Sequence, residues 1–447
     1  MGISGVRGIV GEGLSPEVVV RLAAHFASSR RGRPVLVGGD TRRTGPMVRH
    51  ALWSGLAAAG CPILDCGICT TPSLLFAVSR REEVAGGVLV TASHNPIEWN
   101  ALKFVGADGF FLGPSEGADM IRRFREEEPT FVPHDQVGSV RTGPDLAEEH
   151  LGAVVGLPWI DEAGLRKQGF SVVVDCVGGA ASAPAPQLLE RLGCKTERLY
   201  CEPDGTFPRG AEPKPANLGD LAARVRDSGA DAGFAFDPDG DRLALVGPGG
   251  EAISEEATLA LVVDYLLART PGPVVVNLST SRMSEDLAER YGVPLYRTPV
   301  GEAHVAAALR EKGAVVGGEG NGGVMVPALH PMRDGMVGMA LVLQAMLEAE
   351  GGLGELMTRL PSYDMRKSTV PADTWNEDLL LEGLSGRFGE GKLDRRDGLR
   401  LEWGNRWIHV RPSNTEPLVR LIVEAPEERG AKELEQSVRD VLGGSGG

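Results

Sequence analysis

Three times along this chain a short valine-rich run ends on a polar or glycine-rich turn and gives way to an amphipathic stretch. Val35-Leu36-Val37 leads into Gly38-Gly39-Asp40-Thr41-Arg42 and then Met47 to Ala59. Val172-Val173-Val174-Asp175 leads into Gly178-Gly179 and then Ala185 to Leu192. Val274-Val275-Val276-Asn277 leads into Ser279-Thr280-Ser281 and then Ser284 to Tyr291. Apolar strands alternating with helices predict α/β domains, and the recurrence predicts three related units. Ligands of such sheets collect where strands end. The turns are therefore where chemistry is to be sought.

With 447 residues the chain is too long for one core, and domains of about 100–150 residues predict roughly three or four. The expected boundaries are 1–150, 151–250, 251–365 and 366–447. The charged stretch Arg122 to Glu128 reads as the periphery of the first domain, and a helix over 145–155 bridges to the second. Gly249-Gly250 reads as a hairpin turn closing the second. The last segment carries strand-like runs at 407–410 and 418–424 and a helix over 431–442, so it reads as a small α+β domain. The tail 443–447 is a flexible end.

A net charge of −15 argues against nucleic acid or an anionic membrane as the main partner, since both require a basic face. It leaves an anionic small substrate open, because a local field can oppose the global one. No run of about 18 apolar residues suits a membrane span, and Met1 to Gly8 lacks the features of a signal peptide. The expectation is a cytosolic protein, monomeric or a homodimer. Cys66 and Cys69 form a C-x-x-C without the second Cys/His pair that zinc would need, and they read as buried or inert thiols.

Four constellations carry chemistry. Val90-Thr91-Ala92-Ser93-His94-Asn95-Pro96 follows the apolar run Gly86 to Val90, which puts the Ser93 hydroxyl on a turn at a strand's end. Such a serine caps the turn, acts as a nucleophile or carries phosphate; Lys103 downstream suits phosphoryl exchange, by balancing charge or relaying a proton. In Asp237-Pro238-Asp239-Gly240-Asp241-Arg242 three alternate carboxylates follow a strand. Their self-repulsion is relieved by a hard cation such as Mg²⁺. An EF-hand is excluded, because Arg242 and Pro248 stand where glycine and glutamate are required. A phosphatase with Asp237 as nucleophile and Asp239 as acid stays open here. Gly317 to Gly323 offers Glu319 and Asn321 to sugar hydroxyls. Arg411 to Pro417, with Arg420 beyond, offers a guanidinium, hydroxyls and turn amides to a phosphate.

Together, and in this order, these motifs resemble those of the α-D-phosphohexomutase superfamily over nearly the whole chain. Ser4 to Gly8 resembles its opening signature, Thr91 to Pro96 its phosphoserine loop and Asp237 to Arg242 its metal loop. Gly318 to Gly323 resembles its sugar-binding loop and Arg411 to Pro417 its phosphate-binding loop. The resemblance implies four domains around a central cleft, three related α/β domains with mixed sheets plus a smaller α+β domain. It implies that phosphorylated Ser93, with Mg²⁺ held by Asp237, Asp239, Asp241 and Ser93 itself, passes its phosphoryl group to a hexose monophosphate through a bisphosphate that also serves as activator. Arg7 and Lys103 match positions near the transferring phosphate, with His94 a third candidate there. Arg242, Glu319, Asn321, Arg411, Ser413, Asn414, Thr415 and Arg420 are the substrate-binding candidates.

One departure bears on mechanism. Many members end the sugar loop in histidine, where this chain has Gly323, so that residue's proton-shuttling role does not carry over. The Glu-Gly-Asn-Gly-Gly form resembles one branch of phosphoglucosamine mutases and tilts the substrate toward glucosamine phosphate. Phosphomannomutase or phosphoglucomutase activity is the alternative, and a non-catalytic sugar-phosphate sensor is the reading from another class.

Overall fold

The computed structural model describes residues 5–413 and 418–443. It divides into two compact units, one of residues 1–258 with 322–356 and one of 259–321 with 357–447. Along the chain four domains follow one another, three α/β and a smaller C-terminal one, as expected.

In the first unit a six-stranded mixed sheet runs in the order Val6–Ile9, Trp99–Val105, Gly86–Val90, Val35–Gly39, Ile63–Ile68, Val140–Thr142. Gly86–Val90, Val35–Gly39, Ile63–Ile68 and Val140–Thr142 are parallel, and Trp99–Val105 runs antiparallel to both its neighbours. The valine-rich strands are buried along their whole length, as parallel strands covered by helices must be. Strand Val35–Gly39 lies so close to Gly86–Val90 that a Cβ on Gly39 would sit 2.3 Å from the Val90 carbonyl oxygen. Only glycine lets these two strand ends meet. Helix Pro16–Ala27 starts where sequence chemistry puts it: Ser15 accepts from Val18 N, and proline occupies the first turn.

A second sheet, ordered Leu243–Val246, Ala232–Phe236, Ser171–Asp175, Lys195–Leu199, is parallel except for its first pair. The helix Leu146–Val155 bridges the two sheets' segments of chain, where the sequence suggested it. The same unit holds the hairpin Gly323–Val326 and His330–Arg333, and the almost wholly buried helix Gly335–Glu348.

The second unit contains the parallel strands Leu295–Thr298, Val274–Asn277 and Val316–Glu319. It also contains a five-stranded antiparallel sheet, Asp364–Pro371, Leu418–Ala425, Arg406–Pro412, Leu399–Trp403, Lys392–Asp394. Helices Glu377–Phe388 and Glu428–Gly443 lay Leu380, Leu384, Leu434 and Val438 on that sheet's Leu401, Ile408, Leu421 and Val423. Among the described residues no single helix is long and apolar enough to cross a membrane. The glycine-rich stretch from 317 is less loop than its composition suggests, since Val316–Glu319 is strand and only 320–322 forms the turn.

Candidate active site

Ser93 stands in the turn after strand Gly86–Val90 with a φ of 50°, in the left-handed region that non-glycine residues rarely enter. Side chains hold it there. Thr91 Oγ1 accepts from Ser93 N at 3.0 Å and donates to Asp40 Oδ2 at 2.6 Å. Arg42, 1% exposed, places all five of its N–H groups. Its Nε donates to Asp40 Oδ2 at 3.1 Å, its Nη1 to the carbonyls of Pro96 (2.6 Å) and Trp99 (3.1 Å), and its Nη2 to those of Ser93 (2.6 Å) and Asn95 (2.7 Å). A guanidinium has no sixth donor, so the Ser93 loop is wrapped on a saturated cation.

The Ser93 hydroxyl donates to Asp237 Oδ2 at 2.9 Å. Asp237, Asp239 and Asp241 follow the buried strand Ala232–Phe236, are wholly buried, and bring carboxylate oxygens within 4.8 Å of one another. Gly240, at φ 73°, makes the turn that returns Asp241 toward Asp237. Each carboxylate has its own support. Asp237 Oδ1 accepts from the amides of Asp241 (3.1 Å) and Arg242 (3.2 Å). Asp239 Oδ2 accepts from Thr71 Oγ1 and Lys103 Nζ, both at 2.7 Å, and Asp241 Oδ2 from Arg333 Nη2 at 2.7 Å.

The electrostatics separate these groups. Burial, then the Asp239 and Asp241 charges, pushes Asp237 well above the usual carboxylate range. Burial raises Asp241 too, against the pull of Arg333. Burial also opposes ionisation of Asp239, but the Lys103 ammonium and the hydrogen bonds to it win and hold it ionised. Lys103 in turn stays a firm cation, because Asp239 and Asp241 outweigh its desolvation. Asp239 Oδ1 and Asp241 Oδ1 are buried and meet no hydrogen-bond donor among the described residues. Two orphaned carboxylate oxygens beside a third acid suit a hard oxygen-seeking cation, and neutral donors would not relieve their repulsion.

Around this cluster, Arg7 donates to Asn95 Oδ1 at 3.2 Å. His94 Nδ1 lies 2.8 Å from Arg242 Nη2. Arginine can only donate, which fixes Nδ1 as acceptor and leaves the proton on Nε2. Burial, then Arg242, Arg333 and Arg7, push the His94 pKa well below its usual value, so the ring is neutral. Arg242 also reaches Glu212 at 3.4 Å.

The remaining candidates lie in the second unit. Glu319, at the end of strand Val316–Glu319, accepts from Asn277 Nδ2 (2.8 Å) and Gly301 N (3.1 Å). Asn321 sits in the turn after it, and Gly320 N donates to Thr280 Oγ1 at 3.1 Å. Arg411 is paired with Asp397 at 3.0 Å and stands directly across the sheet from Arg420. Ser413 N donates to Leu418 O at 2.8 Å. Asn414 and Thr415 lie outside the described residues.

Sequence reasoning missed Arg42, Thr71 and Arg333. Asp40-Thr41-Arg42 was in view as a strand-end turn, and its charges were the signal. Arg333 stands 92 positions from Asp241 with no motif around it. Cys66 and Cys69 are free thiols, and burial pushes Cys66 up to about 12 and Cys69 higher still.

Family comparisons agree along the chain. Models described as phosphoglucomutase/phosphomannomutase alpha/beta/alpha domains I, II and III match residues 1–130, 151–250 and 254–363, and the C-terminal domain of that family matches 391–441. A protein of Methanopyrus kandleri described as "Probable phosphoglucosamine mutase" is 37% identical over 445 residues, 99% of this chain and 97% of that one. A phosphoglucomutase/phosphomannomutase of Thermococcus kodakarensis is 34% identical over 440 residues, covering 97% and 96%. The crystal structure of a phosphoglucomutase/phosphomannomutase family protein from Burkholderia thailandensis superposes with a TM-score of 0.85 at 28% identity, covering 99% and 96%. An Aspergillus fumigatus N-acetylphosphoglucosamine mutase, solved with GlcNAc-6P and magnesium, shares the fold with a TM-score of 0.57 at 17% identity over 92% and 82%. Matched in every domain and over nearly its full length, the chain belongs to the phosphoglucomutase/phosphomannomutase family, the α-D-phosphohexomutases, and is an isomerase of that group.

Proposed function

We propose that the chain interconverts hexose 6-phosphates and hexose 1-phosphates, with glucosamine phosphate as its sugar, and that Ser93 carries the phosphoryl group. The observation behind this reading is the 2.9 Å contact from Ser93 Oγ to Asp237 Oδ2, which sets a buried hydroxyl against a three-carboxylate cluster. When Ser93 is phosphorylated, its Oγ–P bond breaks as a hydroxyl of the hexose monophosphate bonds to phosphorus. The hydroxyl proton passes in net to Ser93 Oγ, the atom that donates to Asp237 in the unphosphorylated chain. The hexose bisphosphate so formed returns its other phosphate to Ser93 by the reverse exchange, and added bisphosphate restores phosphoserine that has been lost.

Mg²⁺ held by Asp237, Asp239 and Asp241, together with the Ser93 phosphate, would supply positive charge against the transferring group. Lys103, held as an ammonium by Asp239, adds a second fixed charge and is in the wrong state to accept a proton. Arg7, bonded to Asn95 of the serine loop, is assigned the same purpose. Neutral His94 offers an Nε2–H donor while its other nitrogen orients Arg242 toward substrate. Glu319 and Asn321 are assigned to sugar hydroxyls. Arg411, Ser413, Asn414, Thr415 and Arg420 are assigned to the phosphate not in transfer, Arg411 and Arg420 standing directly across the sheet from each other.

Glucosamine is favoured by the archaeal relative named for it and by the Glu319–Gly323 sequence. The test is a coupled assay comparing the 1-phosphates of glucosamine, glucose and mannose with a hexose 1,6-bisphosphate present. Glucosamine 1-phosphate should turn over fastest, and Ser93→Ala should lose at least about 10³-fold while its circular dichroism is unchanged. Full activity in Ser93→Ala overturns the proposal. Phosphate release that survives Ser93→Ala but not Asp237→Asn would make the chain a hydrolase.

A further inference from the structure

Two cysteines outside the catalytic cluster end neighbouring parallel strands. Cys176 follows Ser171–Asp175 and Cys201 lies just past Lys195–Leu199, with Cys176 N bonded to Leu199 O at 3.3 Å. Their sulfurs are 3.4 Å apart, the Cys201 thiol pointing at Cys176. A disulfide needs about 2.05 Å, so the sulfurs have roughly 1.4 Å to close. Cys176 is buried, while Cys201 is partly exposed.

These strand ends anchor the segment from 201 to 212, which touches Arg42, the holder of the Ser93 loop, and both ends of the Asp237 loop. Gly205 packs on the Thr41 backbone, and a Cβ there would sit 2.2 Å from the Thr41 oxygen. The Phe207 ring lies under the Arg42 guanidinium at 5.0 Å. Arg209 pairs with Asp175 at 2.6 Å and donates to the Phe236 carbonyl, just before Asp237, at 2.6 Å.

We propose that Cys176 and Cys201 are a redox-active dithiol that closes to a disulfide under a low-molecular-weight disulfide oxidant and staples the root of this brace. The Cys201 thiolate attacks one sulfur of the oxidant, and that reagent's other half leaves as a thiolate. Cys176 then gives up its proton and attacks Cys201 Sγ, expelling the second reagent thiol. Two protein thiols are oxidised and one reagent disulfide becomes two thiols. The neighbouring Cys176 side chain holds the Cys201 thiol below its ordinary pKa, whereas burial pushes Cys61, Cys66 and Cys194 up.

The experiment treats the whole chain with glutathione disulfide and counts thiols, maps peptides without reduction and follows thermal melting. Expected are the loss of two of six thiols, a Cys176–Cys201 peptide pair, and a midpoint several degrees higher that dithiothreitol reverses. Cys201→Ser should lose both the crosslink and the shift, and Cys66→Ser should keep them. Six thiols left after treatment, a mixed disulfide on Cys201 that never passes to Cys176, or a crosslink between other cysteines would each overturn the proposal.

Discussion

Replacing Arg42 with lysine keeps the charge beside Asp40 but reduces five donors to three. At least two of the five oxygens on the guanidinium, those of Asp40, Ser93, Asn95, Pro96 and Trp99, must then lose their partner. All five bonds are made by a cation in a buried place, where each is worth about 1.5–3 kcal/mol. The gross loss is therefore about 3–6 kcal/mol. Part is recovered, because Ser93 no longer has to be held at φ 50°, a strain of about 1–3 kcal/mol. A bias of about 2 kcal/mol away from the observed loop remains, which leaves the competent conformer some 30-fold rarer. Arg42→Lys is thus expected to lower kcat by about 10- to 100-fold with KM within a few-fold. Its melting temperature should fall by only a few degrees, since the loss is confined to one loop. Steady-state rates are read against amide exchange of residues 91–97, which should speed up. An Arg42→Lys enzyme with more than half the original kcat and unchanged exchange would refute the idea that this side chain holds the serine.

Other perturbations probe the same site from different sides. Lys103→Met removes a cation from Asp239, so Mn²⁺ affinity by spin-resonance titration should hold or rise while kcat drops at least about 10²-fold; a parallel loss of affinity would contradict the charge argument. Asp241→Asn removes one orphaned oxygen's charge and should weaken Mn²⁺ binding about tenfold or more, read on the apo chain. His330→Phe tests pH linkage: burial holds this ring at about 4, below its ordinary 6.5. Between those values the unfolded chain binds a proton that the folded one refuses, so stability falls as pH drops from 6.5 and levels off below 4. The full penalty is about 3 kcal/mol, and phenylalanine, able to stack on Phe110 as the histidine does, should flatten that part of a urea-stability profile.

What could be read from the sequence follows a physical line. The valine-rich strands and their turns were legible because burial on both faces forces a local composition, as at Val35–Gly39 and Ser171–Asp175. The Asp237, Asp239 and Asp241 cluster was legible because three alternate acids are costly wherever they lie. Illegible were Thr71 on helix Thr71–Ser79 and Arg333 on a hairpin, and the pairing of the already named Lys103 with Asp239, since all three reach the cluster only once the first unit has folded. Arg42 was hidden for another reason. Its acceptors are four main-chain carbonyls and Asp40, and carbonyls leave no mark in a sequence. The split of the glycine-rich stretch into strand and turn was equally unreadable, because glycine is compatible with both.

The charges of the first unit's cluster also say why serine, acids and cation belong together. Three carboxylates face the hydrogen-bonded cations Lys103 and Arg333, and Arg242, 3.8 Å from Asp241, is shared with Glu212, which leaves the cluster about one charge negative when all its acids are ionised. That excess bears most on Asp237, the acid that Ser93 touches, whose carboxyl is pushed up by burial and by the Asp239 and Asp241 charges. A phosphate on Ser93 would add about two negative charges against Asp237, and a divalent cation among the acids would add two positive ones. Phosphate alone deepens the negative excess and a divalent cation alone reverses it; together they cancel. Phosphorylation of Ser93 and cation binding are therefore coupled, each strengthening the other. It follows that Mn²⁺ should bind phosphorylated chain more tightly than dephosphorylated chain, and that the gap should shrink in Asp237→Asn. Equal affinities in the two wild-type forms would mean that the Ser93–Asp237 contact is only a turn cap.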